Sequence, residues 1–278
     1  MIKNIIYLGT PEDLKKYIDN QMSFLFDLDG TLVKTDTIYF KIWTEILLLY
    51  NITLTHEIFN TCIQGNSDEL AMEMLQINKC LYTIYDISSK KDGIFNKYMN
   101  DIEIIEGAYD FIKTVKKLGY YICIVTNCNR DTCMSIIKYM KIDKYINYIV
   151  IGNECTHPKP YPDPYLKAIT LLKTSANRVI IFEDSKPGLL SAKSVFPKNI
   201  VGISNSNNGG IFKELDICTI ISDYTNIDVD MLINKDIIYN CIDIHKMIYN
   251  SISKKYDIKN IHIDTTKIKG DIFQMLLK

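Results

Sequence analysis

The sequence predicts an α/β protein, a doubly wound parallel sheet with an inserted helical subdomain. Three observations carry this. Several short runs are almost continuously apolar: Ser23–Asp27, Tyr121–Thr126, Ile146–Ile151, Arg178–Phe182 and Asn199–Ile203. Strands buried on both faces of a helix-covered sheet have this pattern. Helical patterns separate the later runs, as in alternating strand–helix folds. One interval, from about Lys34 to Ile104, carries helical patterns and no buried strand, and it is too long for a structureless loop.

Along the chain, Asn4–Leu8 reads as a strand. Thr10 then caps a helix that has Pro11 at its first position and Glu12 and Asp13 in its first turn. Residues 1–21 are thus expected to form a strand–helix extension. The sheet core is expected over 22–34 and 105–225, with the helical cap at 35–104. In the cap, Ile38, Ile42, Ile46 and Leu49 share one helical stripe, Thr55 starts a second helix, and Ser67 caps a third whose apolar face is Leu70, Met74 and Ile77. In the core, Ala108, Phe111, Ile112, Val115 and Leu118 form another helical stripe that Gly119 ends. A helix starts at Asp163-Pro164 and runs into Leu166 and Ile169. Residues 205–210 are a polar loop. The stretch 226–278 is a C-terminal extension with a helix over 236–251 and a short strand at 261–263. Three readings of it stay open: a packing element, a dimerisation element, or the start of a further domain.

Composition narrows the functional classes. The chain has 278 residues, 47% apolar and 23% charged, with 32 basic against 33 acidic side chains. That supplies a core and excludes wholesale disorder. A net charge of −1 gives no global basic field for nucleic acid or anionic lipid, so neither is expected as a partner. Charges interrupt every apolar run well short of a membrane span, and the N-terminus lacks a signal-peptide core. The eight cysteines (Cys62, Cys80, Cys123, Cys128, Cys133, Cys155, Cys218, Cys241) are scattered, with no CxxC pair. They read as reduced thiols in a cytoplasmic compartment. Cys155 and His157 have no second ligand pair to complete a metal site.

Four short motifs carry chemistry. Asp27-Leu28-Asp29-Gly30-Thr31 places two carboxylates at i and i+2 just past a strand, where they can face one cavity; alone, the string also fits an Asx-type turn or a calcium-loop fragment. Thr126-Asn127, at another strand end, offers a hydroxyl and backbone N–H groups to a phosphoryl oxygen. Lys159 lies among prolines at 158, 160, 162 and 164, which fix its backbone. A lysine held in this way can neutralise an anionic nucleophile and its substrate together. Glu183-Asp184 ends a buried strand, and two acids there are costly unless paired or metal-bound. Oxygen ligands of this kind suit Mg²⁺.

Taken together, these motifs closely resemble the haloacid dehalogenase superfamily of phosphotransferases and phosphatases over residues 22–225. Its hallmark is DxDGT, then Ser or Thr, then Lys, then an acidic pair, on the edge of a Rossmann-like sheet. The segments KPYPDPYLKAI and FEDSKPGLLSAK, and the place of the cap, resemble the β-phosphoglucomutase and phosphoglycolate phosphatase-like branch. The resemblance implies a Mg²⁺-dependent phosphatase acting on a small phosphorylated metabolite. Asp27 would be the nucleophile and Asp29 the acid and base. Thr126, Asn127 and Lys159 would hold the phosphoryl oxygens, and Asp27, Asp29 (through its carbonyl), Glu183 and Asp184 the metal. Gln64–Asp68 resembles the branch's substrate-specificity loop, so Gly65, Asn66 and Ser67 become candidate substrate contacts. The mutase pattern has cations where this chain has Gln64 and Asp68, which favours a phosphatase over a phosphosugar mutase. Lys41 and Lys79 are other sources of cap charge, and Lys34 stands where relatives often carry an acid. The oligomeric state is not legible, and a non-catalytic interaction module is the remaining alternative.

Overall fold

In the computed structural model, residues 21–63, 68–77, 84–205 and 208–234 are described. The first strand, β1 (Ser23–Phe26), is buried along its whole length. The chain then turns through Asp27–Leu32 into β2 (Val33–Lys34), which pairs antiparallel with β3 (Glu103–Ile104). Between these two short strands lie the helices α1 (Asp36–Leu48), α2 (His56–Ile58), α3 (Asp68–Met74) and α4 (Ile84–Lys97). A two-stranded ribbon therefore ties together the entrance and exit of the helical insertion.

Beyond β3 the chain alternates: α5 (Ala108–Lys117), β4 (Tyr121–Thr126), α6 (Arg130–Tyr139), β5 (Tyr148–Ile151), α7 (Asp163–Leu171), β6 (Val179–Glu183), α8 (Lys186–Lys193), β7 (Asn199–Ile203), α9 (Gly209–Glu214), β8 (Thr219–Ile221) and α10 (Val229–Asn234). The main sheet has six parallel strands in the order β5-β4-β1-β6-β7-β8. The order reverses around β1, so the carboxyl ends of β1, β4 and β6 open on one crevice, where ligands bind in such sheets. Phe26 is level with Ile124 on β4 and with Phe182 on β6, so Asp27 leaves the sheet between its two neighbours.

Aromatic packing fixes the central strands. The Phe26 and Phe182 rings stack at 4.5 Å, and Phe24, Phe111 and Tyr224 crowd the same rings. The Tyr224 hydroxyl donates to the Thr31 carbonyl at 2.9 Å and so fastens the loop after β1 to the distal part of the chain. In the cap, Ile38, Ile42, Trp43, Ile46 and Leu47 of α1 are buried, as are Ile87 and Phe95 of α4. Thr55 caps α2 by accepting from the Ile58 N–H at 3.2 Å, and a π turn over Phe59–Ile63 continues it.

Several boundaries differ from the sequence expectation. Leu49 and Leu118 are exposed because both sit at helix C-caps, where the stripe has run out. Met74 is exposed at the end of α3, whereas Ile77 is buried. α7 starts at Asp163 as expected, with Pro164, Tyr165 and Ala168 as its inward face and Leu166 exposed. The ribbon β2–β3 and the edge strand β8 are too short to stand out by pattern alone. The polar stretch at 205–210 runs into α9, which starts at Gly209. The strand–helix expected over 1–21, the cap by Ser67 and the helix and strand expected after 235 lie outside the described residues, and the side chain of Leu70 is not described.

Phe182 is fully buried at the centre of the ring cluster, so Phe182→Ala should cost about 3–5 kcal/mol of stability. Half-exposed Leu190→Ala should change stability by less than about 0.5 kcal/mol. Denaturant unfolding of both variants checks the pair, and equal losses would contradict the packing described.

Candidate active site

The crevice is built from strand ends. Asp27 follows β1 directly, with its backbone N–H donating to the Phe182 carbonyl at 3.0 Å, so its place is set by the β1–β6 ladder. The turn beyond it needs Gly30. Its φ is +79°, and a Cβ there would sit 2.1 Å from an Asp184 carboxylate oxygen. That close approach brings the last acid of β6 against the first loop, where the Thr31 hydroxyl lies 3.4 Å from Asp184 Oδ1. Gly188 plays a matching part at α8: a Cβ there would lie 2.0 Å from the Glu183 carboxyl.

Lys159 is the centre of the site. Its ammonium donates to Asp27 Oδ1, Glu183 Oε1 and the Val125 carbonyl, each at 2.6 Å. All three donors are used and the side chain is 3% exposed, so the cation is neither free nor solvated. Its loop is held by Asn127. The Asn127 amide donates to the Lys159 carbonyl and accepts from the Lys159 N–H, both at 3.1 Å. Tyr165 from α7 donates to Glu183 Oε1 at 2.7 Å, and its ring lies 5.1 Å from the Lys159 nitrogen. Thr126 is buried at the end of β4, where its hydroxyl accepts the Cys128 N–H at 3.0 Å. Asn129 caps α6 by accepting from Thr132 N–H at 2.7 Å.

Asp27, Asp29, Thr126, Asn127, Lys159, Glu183 and Asp184 thus lie along one edge of the sheet. Asp29 faces the cap: its Oδ1 accepts from the Tyr39 hydroxyl of α1 at 3.3 Å. Gly65, Asn66 and Ser67 lie outside the described residues, as do Gln64 and Lys79. Cys155 gives its thiol hydrogen to the Ile151 carbonyl and His157 pairs with Asp163, so those two side chains are otherwise engaged.

Some members of the site were not singled out from the sequence. Tyr165 lies within a quoted motif but signals nothing by itself, because a tyrosine on a helix face is ordinary core material. Asn208 is buried and donates to the carbonyls of Asp184 (2.9 Å) and Ile203 (2.8 Å), which locks the backbone carrying the last acid. Its signal was faint: an asparagine in a glycine-rich loop just beyond a strand end. Tyr39 and Tyr224 likewise became visible only through their partners.

Electrostatically the site holds more negative charge than Lys159 can balance. Burial pushes the Asp27 carboxyl up to about 8; Lys159 pulls against this, while Glu183 and Asp29 add to it. Asp184 is driven well above the carboxylate range by burial and by the charges of Asp27 and Glu183. Burial also raises Asp29, opposed by hydrogen bonds from Thr35 and Tyr39. Burial alone would lower Lys159, but Asp27 and Glu183 outweigh it and hold it protonated. Carboxylate oxygens of Asp27, Glu183 and Asp184 lie within 4.8 Å of one another. Converging oxygens with an excess of negative charge fit a hard divalent cation. The same cation would return Asp27 to its ionised form.

The chain is similar to known proteins in sequence and fold. A family model for haloacid dehalogenase-like hydrolases matches residues 24–200. A phosphorylated carbohydrates phosphatase of Thermotoga maritima is 25% identical over 190 residues, covering 67% of this chain and 87% of the relative. The pyrophosphatase PpaX of Bacillus mycoides is 27% identical over 183 residues, covering 63% and 80%. In fold, the chain is similar to the crystal structure of β-phosphoglucomutase from Clostridium difficile, with a TM-score of 0.64 at 16% identity, covering 84% of this chain and 99% of that one.

A carboxyl whose folded pKa is raised binds protons more tightly folded than unfolded, so stability falls as pH rises between the two values. For Asp27 that window runs from about 4 in the unfolded chain to about 8 in the folded one. In metal-free buffer the melting temperature should therefore drop across this window, and Asp27→Asn should flatten the drop. Parallel curves for the two proteins would contradict the charge balance described.

Proposed function

The chain belongs to the haloacid dehalogenase-like hydrolases, and on that premise we propose that it is a Mg²⁺-dependent phosphatase of a small phosphorylated metabolite, working through an aspartyl-phosphate. The observation that carries the proposal is the shared ammonium: Lys159 bonded at 2.6 Å to both Asp27 and Glu183, with Asp184 beside them. A buried lysine spanning two acids at a sheet switch point is costly to build, and a functional role accounts for all three charges together. It orients a carboxylate and offers its charge to an incoming anion.

Asp27 is the nucleophile. One of its oxygens attacks phosphorus as the bond to the leaving oxygen breaks, and Asp29 gives that oxygen its proton. Asp29, now a carboxylate, then takes a proton from water. The resulting hydroxide attacks phosphorus, inorganic phosphate departs, and Asp27 is released. Thr126, Asn127 and Lys159 hold the transferring oxygens, with Asn127 also fixing the lysine loop. Asp27, Asp184 and the Asp29 carbonyl would hold Mg²⁺, with Glu183 ligating directly or through water. When bound there, the ion offsets the repulsion between an anionic nucleophile and an anionic phosphate.

Hydrolysis is favoured over phosphate movement within a sugar. A mutase must grip a second phosphate in its cap, and this chain has Gln64 and Asp68 where that pattern is cationic. Lys41, another cap cation, is paired with Asp101 at 2.7 Å. The likeness to a mutase at 16% identity is one of fold, whereas the relative from Thermotoga maritima is named for hydrolysis of phosphorylated carbohydrates. Gly65, Asn66 and Ser67 remain part of the proposed substrate surface. A cytoplasmic setting belongs to the same proposal and is supported by the free thiols of Cys123, Cys128, Cys133 and Cys155. Among the described residues no helix is long and apolar enough to cross a membrane.

Asp27→Asn should lower phosphate release from a panel of phosphomonoesters by more than about 10³-fold while leaving the circular dichroism spectrum unchanged. Appreciable turnover by the folded variant would overturn the nucleophile assignment. Asp184→Asn should move the Mg²⁺ titration of activity to higher concentration by about tenfold or more. A titration superimposing on that of the unmodified chain would remove Asp184 from the metal site.

A further inference from the structure

Asp29 does the proton work of both half-reactions proposed above, so whatever fixes its carboxyl bears on the chemistry. Its backbone is tied down by the turn after β1: the Gly30 N–H donates to the Val33 carbonyl at 2.7 Å, and the Leu28 carbonyl accepts from the N–H groups of Thr31, Leu32 and Val33. Thr35 and Tyr39 follow at the start of α1. They are one helical turn apart and lie on one face, with the Tyr39 N–H donating to the Thr35 carbonyl at 2.9 Å. Both side chains hydrogen-bond to the Asp29 carboxyl, and the Tyr39 hydroxyl donates to its Oδ1 at 3.3 Å. The phenol has little freedom to leave. Its ring packs on buried Phe95 of α4, with the centroids 5.7 Å apart, and the Lys91 ammonium lies 5.6 Å from its centre. Lys91 is itself held by Asp68 at 2.7 Å. The place of the hydroxyl is therefore set by the packing of α1 on α4.

We propose that Tyr39 is a positioning residue for the proton transfers: by holding Oδ1 of Asp29 it turns Oδ2 toward the reacting oxygens. This rests on the phosphatase reading and adds a residue to its mechanism. A carboxyl free to turn about its last bond presents either oxygen, or neither, to the leaving group. With Oδ1 engaged by the phenol, the transferable proton sits on Oδ2. As the bond from phosphorus to the leaving oxygen breaks, Oδ2 gives that oxygen its proton and keeps the electron pair. Oδ2 then takes a proton from the water that attacks the aspartyl-phosphate. Tyr39 itself neither gains nor loses a proton. The ordinary alternative is that a part-buried tyrosine hydroxyl needs an acceptor and takes the nearest one. The two readings differ in consequence. Removing a hydroxyl that only satisfies itself affects all substrates alike. Removing one that aims Asp29 matters most where the leaving oxygen is strongly basic and cannot depart without a proton.

The test compares two esters in the presence of Mg²⁺: p-nitrophenyl phosphate, whose phenolate leaves unprotonated, and the alkyl phosphate that the chain turns over fastest in a metabolite panel. For each, kcat/KM reports the first phosphoryl transfer. Tyr39→Phe keeps the ring against Phe95 and removes the hydroxyl. It should lower kcat/KM for the alkyl ester about tenfold more than for the aryl ester. Phe95→Leu keeps the hydroxyl but loosens its seat. It should tilt the same ratio in the same direction, and it serves if Tyr39→Phe does not fold. Equal losses on the two esters, or no loss on either, would overturn the positioning role and leave the phosphatase reading standing. An unmodified chain that hydrolyses no alkyl phosphate would overturn the phosphatase reading, and the role of Tyr39 with it.

Discussion

The site depends on one buried ammonium. Lys159 reaches across the carboxyl edge of the sheet to Asp27 on one strand and Glu183 on the next, while its third hydrogen goes to the Val125 carbonyl on a third strand. Removing it would leave two buried carboxylates unpaired, which typically costs about 3–5 kcal/mol. Most of the local architecture serves this contact. The prolines and the Asn127 amide fix the backbone of Lys159, Tyr165 completes the hydrogen bonding of Glu183, and Gly188 leaves room for that carboxyl. Asp184 is held apart from the lysine, against Gly30 and Thr31, with its backbone carbonyl anchored by Asn208. The result is an acidic cluster with more negative charge than Lys159 balances, which fits a divalent cation.

The sheet was legible because its strands are buried on both faces, and continuous apolar runs such as YICIVT are hard to read otherwise. The acidic edge of the sheet was legible for a related reason: acids at the ends of such runs, as in Phe26-Asp27 and Phe182-Glu183-Asp184, are costly to bury. Helix phases were less secure. The start of α7 at Asp163 is legible, but which of its residues turns inward is not: Tyr165 does so to reach Glu183, and Leu166 is exposed. The ribbon of β2 and β3 carries almost no pattern in two residues per strand, yet it ties together the cap's two attachments.

Residues that act through partners were the least visible. Nothing in the local sequence of Tyr39, Asn208 or Tyr224 marks it, and each matters because a carboxyl, a carbonyl or a loop from a distant stretch lies within hydrogen-bond reach. The Asp68–Lys91 pair is of the same kind. Lys91, 23 residues on in the sequence, reaches Asp68 through the fold alone.

The central claim is that Asp27 carries the phosphoryl group between two half-reactions. Rapid acid quench of the enzyme turning over a good phosphomonoester with Mg²⁺, followed by peptide mass spectrometry, tests it most directly. The account predicts one phosphoryl group on the peptide containing Asp27, localised to that carboxyl and sensitive to hydroxylamine. A phosphoryl group on another side chain, or release of phosphate with no labelled peptide even when the second step is slowed by Asp29→Asn, would contradict it.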